Sequence, residues 1–186
     1  MNTDGASKPP SLTTAPADYA VAGAAAAMTN QDQGHLARAV ELARIGSQRG
    51  DGGPFGAVVV DAGGKVIAEG WNRVVISHDP TAHAEIAAIR AACAALHVFH
   101  LSGVTLYASS EPCPMCLAAA YWARIPRIVY ANSRLEAAAI GFCDDELYAQ
   151  LARDCGQRNI IMEHQPLAGA LEPMREWAGN PGRTAY

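Results

Sequence analysis

The 186-residue sequence lacks any apolar run near the roughly 18 residues that would cross a bilayer as a helix, so no membrane partner is expected. It lacks an excess of positive charge: 14 Lys and Arg stand against 18 Asp and Glu, a net charge of −4. A mildly acidic chain is not built as a general binder of phosphate backbones, which argues against a nucleic-acid partner. Pattern is missing from its 17 Gly and 11 Pro, which excludes a collagen-like chain. A disulfide framework is missing too, because Cys93, Cys113, Cys116, Cys143 and Cys155 are an odd and sparse set. That usage fits a reduced, cytoplasmic protein in which one close pair has another task. No secretory leader is expected, since Asp4 and Asp18 flank Lys8 and the Ala-rich stretch that follows is short of large apolar side chains.

What is present is a chain with 50% hydrophobic and 17% charged residues, enough apolar surface to offset chain entropy in one domain. Residues 1–28 read as a flexible tail and 29–186 as the domain. Thr29 or Asn30 caps a helix to about Gln48, with Leu36, Val40 and Ala43 on one face. Phe55–Asp61 and Val66–Trp71 form a hairpin around Ala62-Gly63-Gly64-Lys65. A helix is expected from near Asp79-Pro80-Thr81 to about Leu96, a strand over Val104–Ser109, a helix from Cys113 to Arg124 and a strand over Arg127–Ala131. Two successive strand–helix–strand passages imply parallel neighbours. Helices over Arg134–Ala139, about Glu146–Arg153 and Leu167–Trp177, and a last strand over Asn159–Glu163, complete the expected elements.

Two motifs carry chemistry. His83-Ala84-Glu85 opens one helix, and Pro112-Cys113-Pro114-Met115-Cys116 opens the next. A catalytic zinc needs three protein ligands and an open position for water. His83, Cys113 and Cys116 supply that count, for one zinc ion per subunit. Two thiolates balance the metal's charge, and a helix N-terminus favours them. Glu85, two residues from His83, reaches a bound water without ligating the ion, as general base and then general acid. A lone Cys-x-x-Cys also fits a redox pair or half of a structural site. A redox pair needs no His-x-Glu, and the other cysteines and histidines offer no second close pair. The joint pattern therefore favours a catalytic zinc, and it matches the signature of zinc-dependent base deaminases.

With those residues in view, Asp51-Gly52-Gly53-Pro54-Phe55-Gly56-Ala57-Val58, Asp79 to Glu85 and Glu111 to Leu117 resemble the cytidine deaminase superfamily. Within it, Tyr121-Trp122-Ala123-Arg124, Ile140-Gly141-Phe142-Cys143-Asp144-Asp145 and terminal Tyr186 make the chain most similar to the bacterial guanine deaminases. The resemblance implies an α/β fold, a three-layer α/β/α sandwich with a five-stranded mixed sheet. It also implies a homodimer whose C-terminal segment crosses to the partner subunit. It implies deamination of guanine to xanthine, with a free purine base as the partner molecule. By position, Asn72 is similar to a base-reading asparagine, Asp144 to an acidic purine contact and Tyr186 to a residue that closes the pocket. Backbone groups near Ala84 and Ser109-Ser110 are implied partners of the ring edge and the leaving nitrogen. Phe55 and Trp122 are candidates to stack on the base. Cys143 departs from the family's Gly-Phe-Asp-Asp. The rival expectations are a tRNA adenosine deaminase, a guanosine or cytidine deaminase, and a zinc-stabilised interaction module without catalysis.

Overall fold

A computed structural model describes residues 27–185. Most of the expected tail and Tyr186 lie outside the described residues.

The first helix, α1 (Asn30–Gln48), starts where the sequence places it, with a capping box between Thr29 and Asp32. Its buried face is Asp32, Ala39, Leu42, Ala43 and Gly46, whereas Val40 points to solvent. The expected stripe of Leu36, Val40 and Ala43 was thus rotated at its middle position, because Ala39 and Leu42 continue the 3.6-residue period through Ala43 and Gly46.

Strands β1 (Gly56–Asp61) and β2 (Val66–Trp71) form the hairpin. After β2 come a one-turn helix not foreseen in the sequence, α2 (Val74–Ser77), and then α3 (Ala84–Leu96). Strand β3 (Val104–Ser110), helix α4 (Pro114–Trp122) and strand β4 (Arg127–Asn132) follow. The chain continues through α5 (Arg134–Ala139) and α6 (Asp144–Leu151), a 3-10 turn over Cys155–Gln157, and α7 (Glu172–Gly179).

The sheet is mixed and, among the described residues, has four strands in the order β2-β1-β3-β4, not the expected five. Asn159–Glu163 is not a strand: it finds no ladder partner among the described residues and Ile161 is 87% exposed. An apolar β-branched run becomes a strand only where another strand accepts its backbone groups. The first expected parallel passage is also corrected. β2 and β3 do run the same way, but β1 lies between them and pairs antiparallel with both. The second passage, β3 through α4 to β4, gives parallel neighbours as expected.

Alternation along β1 makes three layers. Ala57 and Val59 join Ala84, Ala88, Ile89 and Leu106 in one core, on the α3 side. Val58 and Val60 join Ala39, Leu42 and Tyr107 in the other, on the α1 side. The helices lie close to the sheet at two glycines. A Cβ on Gly56 would run into the backbone of Ala39 and Ala43 in α1. A Cβ on Gly70 would lie 2.6 Å from the Ala84 carbonyl and 2.7 Å from the Ala88 nitrogen in α3. Gly70 thereby seats the first turn of α3 directly on β2.

Candidate active site

Helix α3 begins later than the sequence reading placed it. Asp79 does not open it; its Oδ1 accepts from the Thr81 N–H at 2.8 Å and the Thr81 hydroxyl at 2.7 Å, which closes a turn. The helix starts at Ala84 with extended His83 as its N-cap. Helix α4 begins the same way, with extended Cys113 as N-cap and Pro114 in the first turn, where a missing N–H is harmless. Cys116 then lies one turn further on. Extended N-cap backbone lets the His83 and Cys113 side chains turn across the gap between the two helices.

They meet there. Nδ1 of His83 lies 3.5 Å from the sulfur of Cys113 and 3.5 Å from that of Cys116. Tetrahedral zinc bonded at about 2.1 Å to nitrogen and about 2.3 Å to sulfur sets an N···S edge of about 3.6 Å. The three ligand atoms all fall within 4.8 Å of one another. The donor set and its spacing therefore fit a zinc ion, with one tetrahedral corner left over. The sulfurs sit in an apolar lining with Ile86, Met115 and Ala119.

The charges respond to this crowding. The Cys113 thiol is brought down to about 4, first by the hydrogen bond from Cys116 and then by those from His83 and the Cys116 backbone, against the opposing effect of burial. Cys116 is pushed well above the ordinary thiol range as the donor of that bond and by burial. His83 is raised, mainly by its bond with Cys113. Glu85 is only 7% exposed and has no salt bridge among the described residues; burial pushes it up to about 7, against the opposing effects of its own backbone N–H first, then His83 and the Cys116 thiol.

The other expected residues approach this cluster to different degrees. Asn72 is buried and belongs to the same wall, because the next residue's N–H donates to the Ala82 carbonyl at 2.9 Å. Its Oδ1 accepts from the Gly53 and Val74 N–H groups, both at 3.2 Å. That fixes the amide, with its NH2 as the group left to donate. Phe55 is tied to the same point, since its carbonyl accepts from the Asn72 N–H at 2.9 Å. Ala84 is fully buried at the start of α3. Ser109 is already engaged: its hydroxyl accepts from the Gly56 N–H at 3.0 Å and its carbonyl from Asn132 at 2.9 Å. Asp144 is half-buried at the start of α6. Its carboxyl is raised by burial and by the charge of Cys113 and lowered by His83, which places it in the field of the metal cluster. Trp122 ends α4, 67% exposed and about 12 Å along the axis from Pro114.

Sequence reasoning missed Phe142. Its ring stands edge-on to Phe55, centroids 4.8 Å apart at 87°, and brings the loop before Asp144 over the Gly53–Phe55 turn. Only the Gly141-Phe142 motif hinted at it.

A model of the cytidine and deoxycytidylate deaminase zinc-binding region matches residues 29–132, which contain the whole metal cluster. The chain belongs to that family. This deaminase is similar to the guanine deaminase of Bacillus subtilis, with 45% identity over 151 residues that cover 81% of this chain and 96% of the relative. The crystal structure of that enzyme superposes with a TM-score of 0.80 at 44% identity, covering 83% of this chain and 98% of the other. A solved structure of a mutant in complex with 8-azaguanine has a TM-score of 0.59 at 35% identity, covering 63% of this chain and 66% of its own. A tRNA-specific adenosine deaminase from Haemophilus influenzae is 41% identical over 118 residues, 61% of this deaminase and 68% of the relative. No helix among the described residues is long and apolar enough to cross a membrane.

Proposed function

We propose that this deaminase hydrolyses the exocyclic amine of guanine, giving xanthine and ammonia. The observation that carries this reading is a three-ligand metal cluster with the buried carboxyl of Glu85 two residues from the ligand His83, together with an amide fixed as a donor at Asn72. His83, Cys113 and Cys116 would hold the zinc, a Lewis acid that makes water nucleophilic near neutral pH.

The chain's own residues do the rest. Glu85 takes a proton from the attacking water and places it on the ring nitrogen beside C2. Glu85 then takes the remaining proton of the hydroxyl added at C2 and gives it to the departing amine; as the C–N bond breaks, the C2 oxygen becomes a carbonyl and the amine leaves as ammonia. A carboxyl held near neutrality can act in both directions at one pH. The Asn72 amide donates to the carbonyl edge of guanine. Adenine would present an amine there, a donor facing a donor, and a polar site rejects such a mismatch strongly. Asp144 accepts from a ring N–H, and Phe55 flanks the base. The likeness to guanine deaminase over nearly the relative's full length supports this reading. The net charge of −4 supports a small base over tRNA.

Two further parts of the reading concern the whole protein. The working form is a homodimer, supported by the apolar side chains of the C-terminal segment that stand in solvent, among them Ile160, Ile161, Leu167 and Met174. Its place is the cytoplasm, because two ligand thiols must stay reduced.

The test is ammonia release from a panel of amino-purines and amino-pyrimidines, with zinc quantified on the same sample. Guanine is expected to lead the panel, and Glu85→Gln to lose about 10²–10⁴-fold in kcat while keeping its zinc. Inert guanine together with inosine formation in a tRNA would overturn the reading.

A further inference from the structure

Helix α6 carries Asp144 to the site, yet it has no buried residue of its own within the chain. Leu147 and Leu151, its large apolar side chains, are exposed. Something other than a hydrophobic seat must set where its first turn stands. Besides the Phe142–Phe55 contact just ahead of the helix, three contacts do so, and two of them converge on Arg134, the first residue of α5. The Arg134 Nε lies 3.3 Å from the Asp145 carboxylate, next in sequence to Asp144. Its guanidinium carbon lies 5.1 Å from the centre of the Tyr148 ring, one turn further along α6. The Tyr148 hydroxyl donates to the Pro112 carbonyl at 3.4 Å, immediately before the ligand Cys113. The Arg134 backbone N–H donates to Glu111 at 3.1 Å, on the same stretch. Arg134 thus joins the turn after β3 that delivers the metal ligand to the helix that delivers Asp144.

We propose that Arg134 is a positioning residue for base recognition. It touches neither metal nor base. Through Asp145 and Tyr148 it holds the first turn of α6 so that the Asp144 carboxylate faces the metal cluster. The proposal rests on the reading of Asp144 as a base contact. A planar guanidinium serves both partners at once, binding a carboxylate by its N–H groups and an aromatic ring by its face. The pair is exposed, with the Arg134 side chain 42% and the Asp145 side chain 60% accessible, so it adds little to global stability. Its consequence is geometric.

A double-mutant cycle between Arg134→Ala and Asp144→Asn tests this, with KM, kcat, zinc content and thermal midpoint measured for each variant. Arg134→Ala is expected to raise KM for guanine about tenfold and to leave kcat within about threefold. Zinc should remain at one per chain and the midpoint within about 3 °C of the parent. In the Asp144→Asn background the same change should raise KM less than about twofold, because the group it positions is already gone. Tyr148→Phe, which removes only the hydroxyl, should raise KM in the same direction and serves if Arg134→Ala does not fold. Effects that multiply in the double variant, or an unchanged KM in both Arg134→Ala and Tyr148→Phe, overturn the proposal. An unchanged KM in Asp144→Asn alone would instead overturn the reading of Asp144 as a base contact.

Discussion

At the scale of single residues, the molecule uses buried carboxyls in opposite ways. Glu85 forms no salt bridge among the described residues, and burial, stronger than the opposing pull of its backbone N–H and of His83, drives it toward the neutral acid. Asp32 is only 3% exposed yet stays ionised, because Arg127 donates to it at 2.6 Å, Tyr107 at 2.6 Å, and the Thr29 backbone and hydroxyl at 2.8 Å. Arg127 first, then Tyr107, hold its carboxyl well below the ordinary carboxylate range. A depressed folded pKa gives stability that is complete above the unfolded value of about 3.9 and is lost as pH falls toward the folded one. Asp32→Asn is therefore expected to cost about 1.5–3 kcal/mol at pH 7, the range for hydrogen bonds to a charged group. It should also flatten the decline of thermal midpoint below about pH 4, as read by melting curves at pH 7, 4 and 3. Legibility in the sequence divides at this scale. His83, Glu85, Cys113 and Cys116 were readable because zinc chemistry fixes residue type and spacing within two short segments. Asp32 was not, since its partners Tyr107 and Arg127 are 75 and 95 residues away and nothing local marks them.

Among the elements, the start of α3 matters most. Its position depends on Gly70, where any side chain would meet helix backbone that cannot rotate away. Gly70→Ala is expected to destabilise by about 1–3 kcal/mol through overpacking. It should also lower zinc occupancy, because the displaced turn begins at His83; melting and metal analysis of the purified variant measure both. The hairpin and α1 were legible from their local turn and cap signals. The start of α3 was misplaced because Asp79-Pro80-Thr81 can cap a helix or close a turn, and the seat on Gly70 decides between them. The fifth strand failed for a related reason. Asn159–Glu163 has the composition of a strand, but pairing is a property of two segments and composition describes one.

For the molecule as a whole, the described residues beyond Leu151 bury almost nothing against the body, while β4 ends the sheet with no strand on its outer edge among the described residues. Exposed apolar area is unfavourable by about 25 cal/mol per Å², so the proposed second copy would be stabilised by covering this segment. Light scattering of the full chain is expected to give twice the mass of one chain, 39 kDa from 19.5 kDa. A stable single-chain mass would sink the homodimer reading. One further consequence follows from the two ways in which the pocket is held. The ion-gripping turns are wedged against the sheet at Gly70, whereas the segment from Phe142 to Tyr148 hangs on a few surface contacts. Under the proposed reading, the zinc chemistry and one part of base recognition, the Asp144 contact, thus reside in separable pieces of chain. A laboratory lineage selected for a new amine donor should collect its changes in the latter and leave the former untouched.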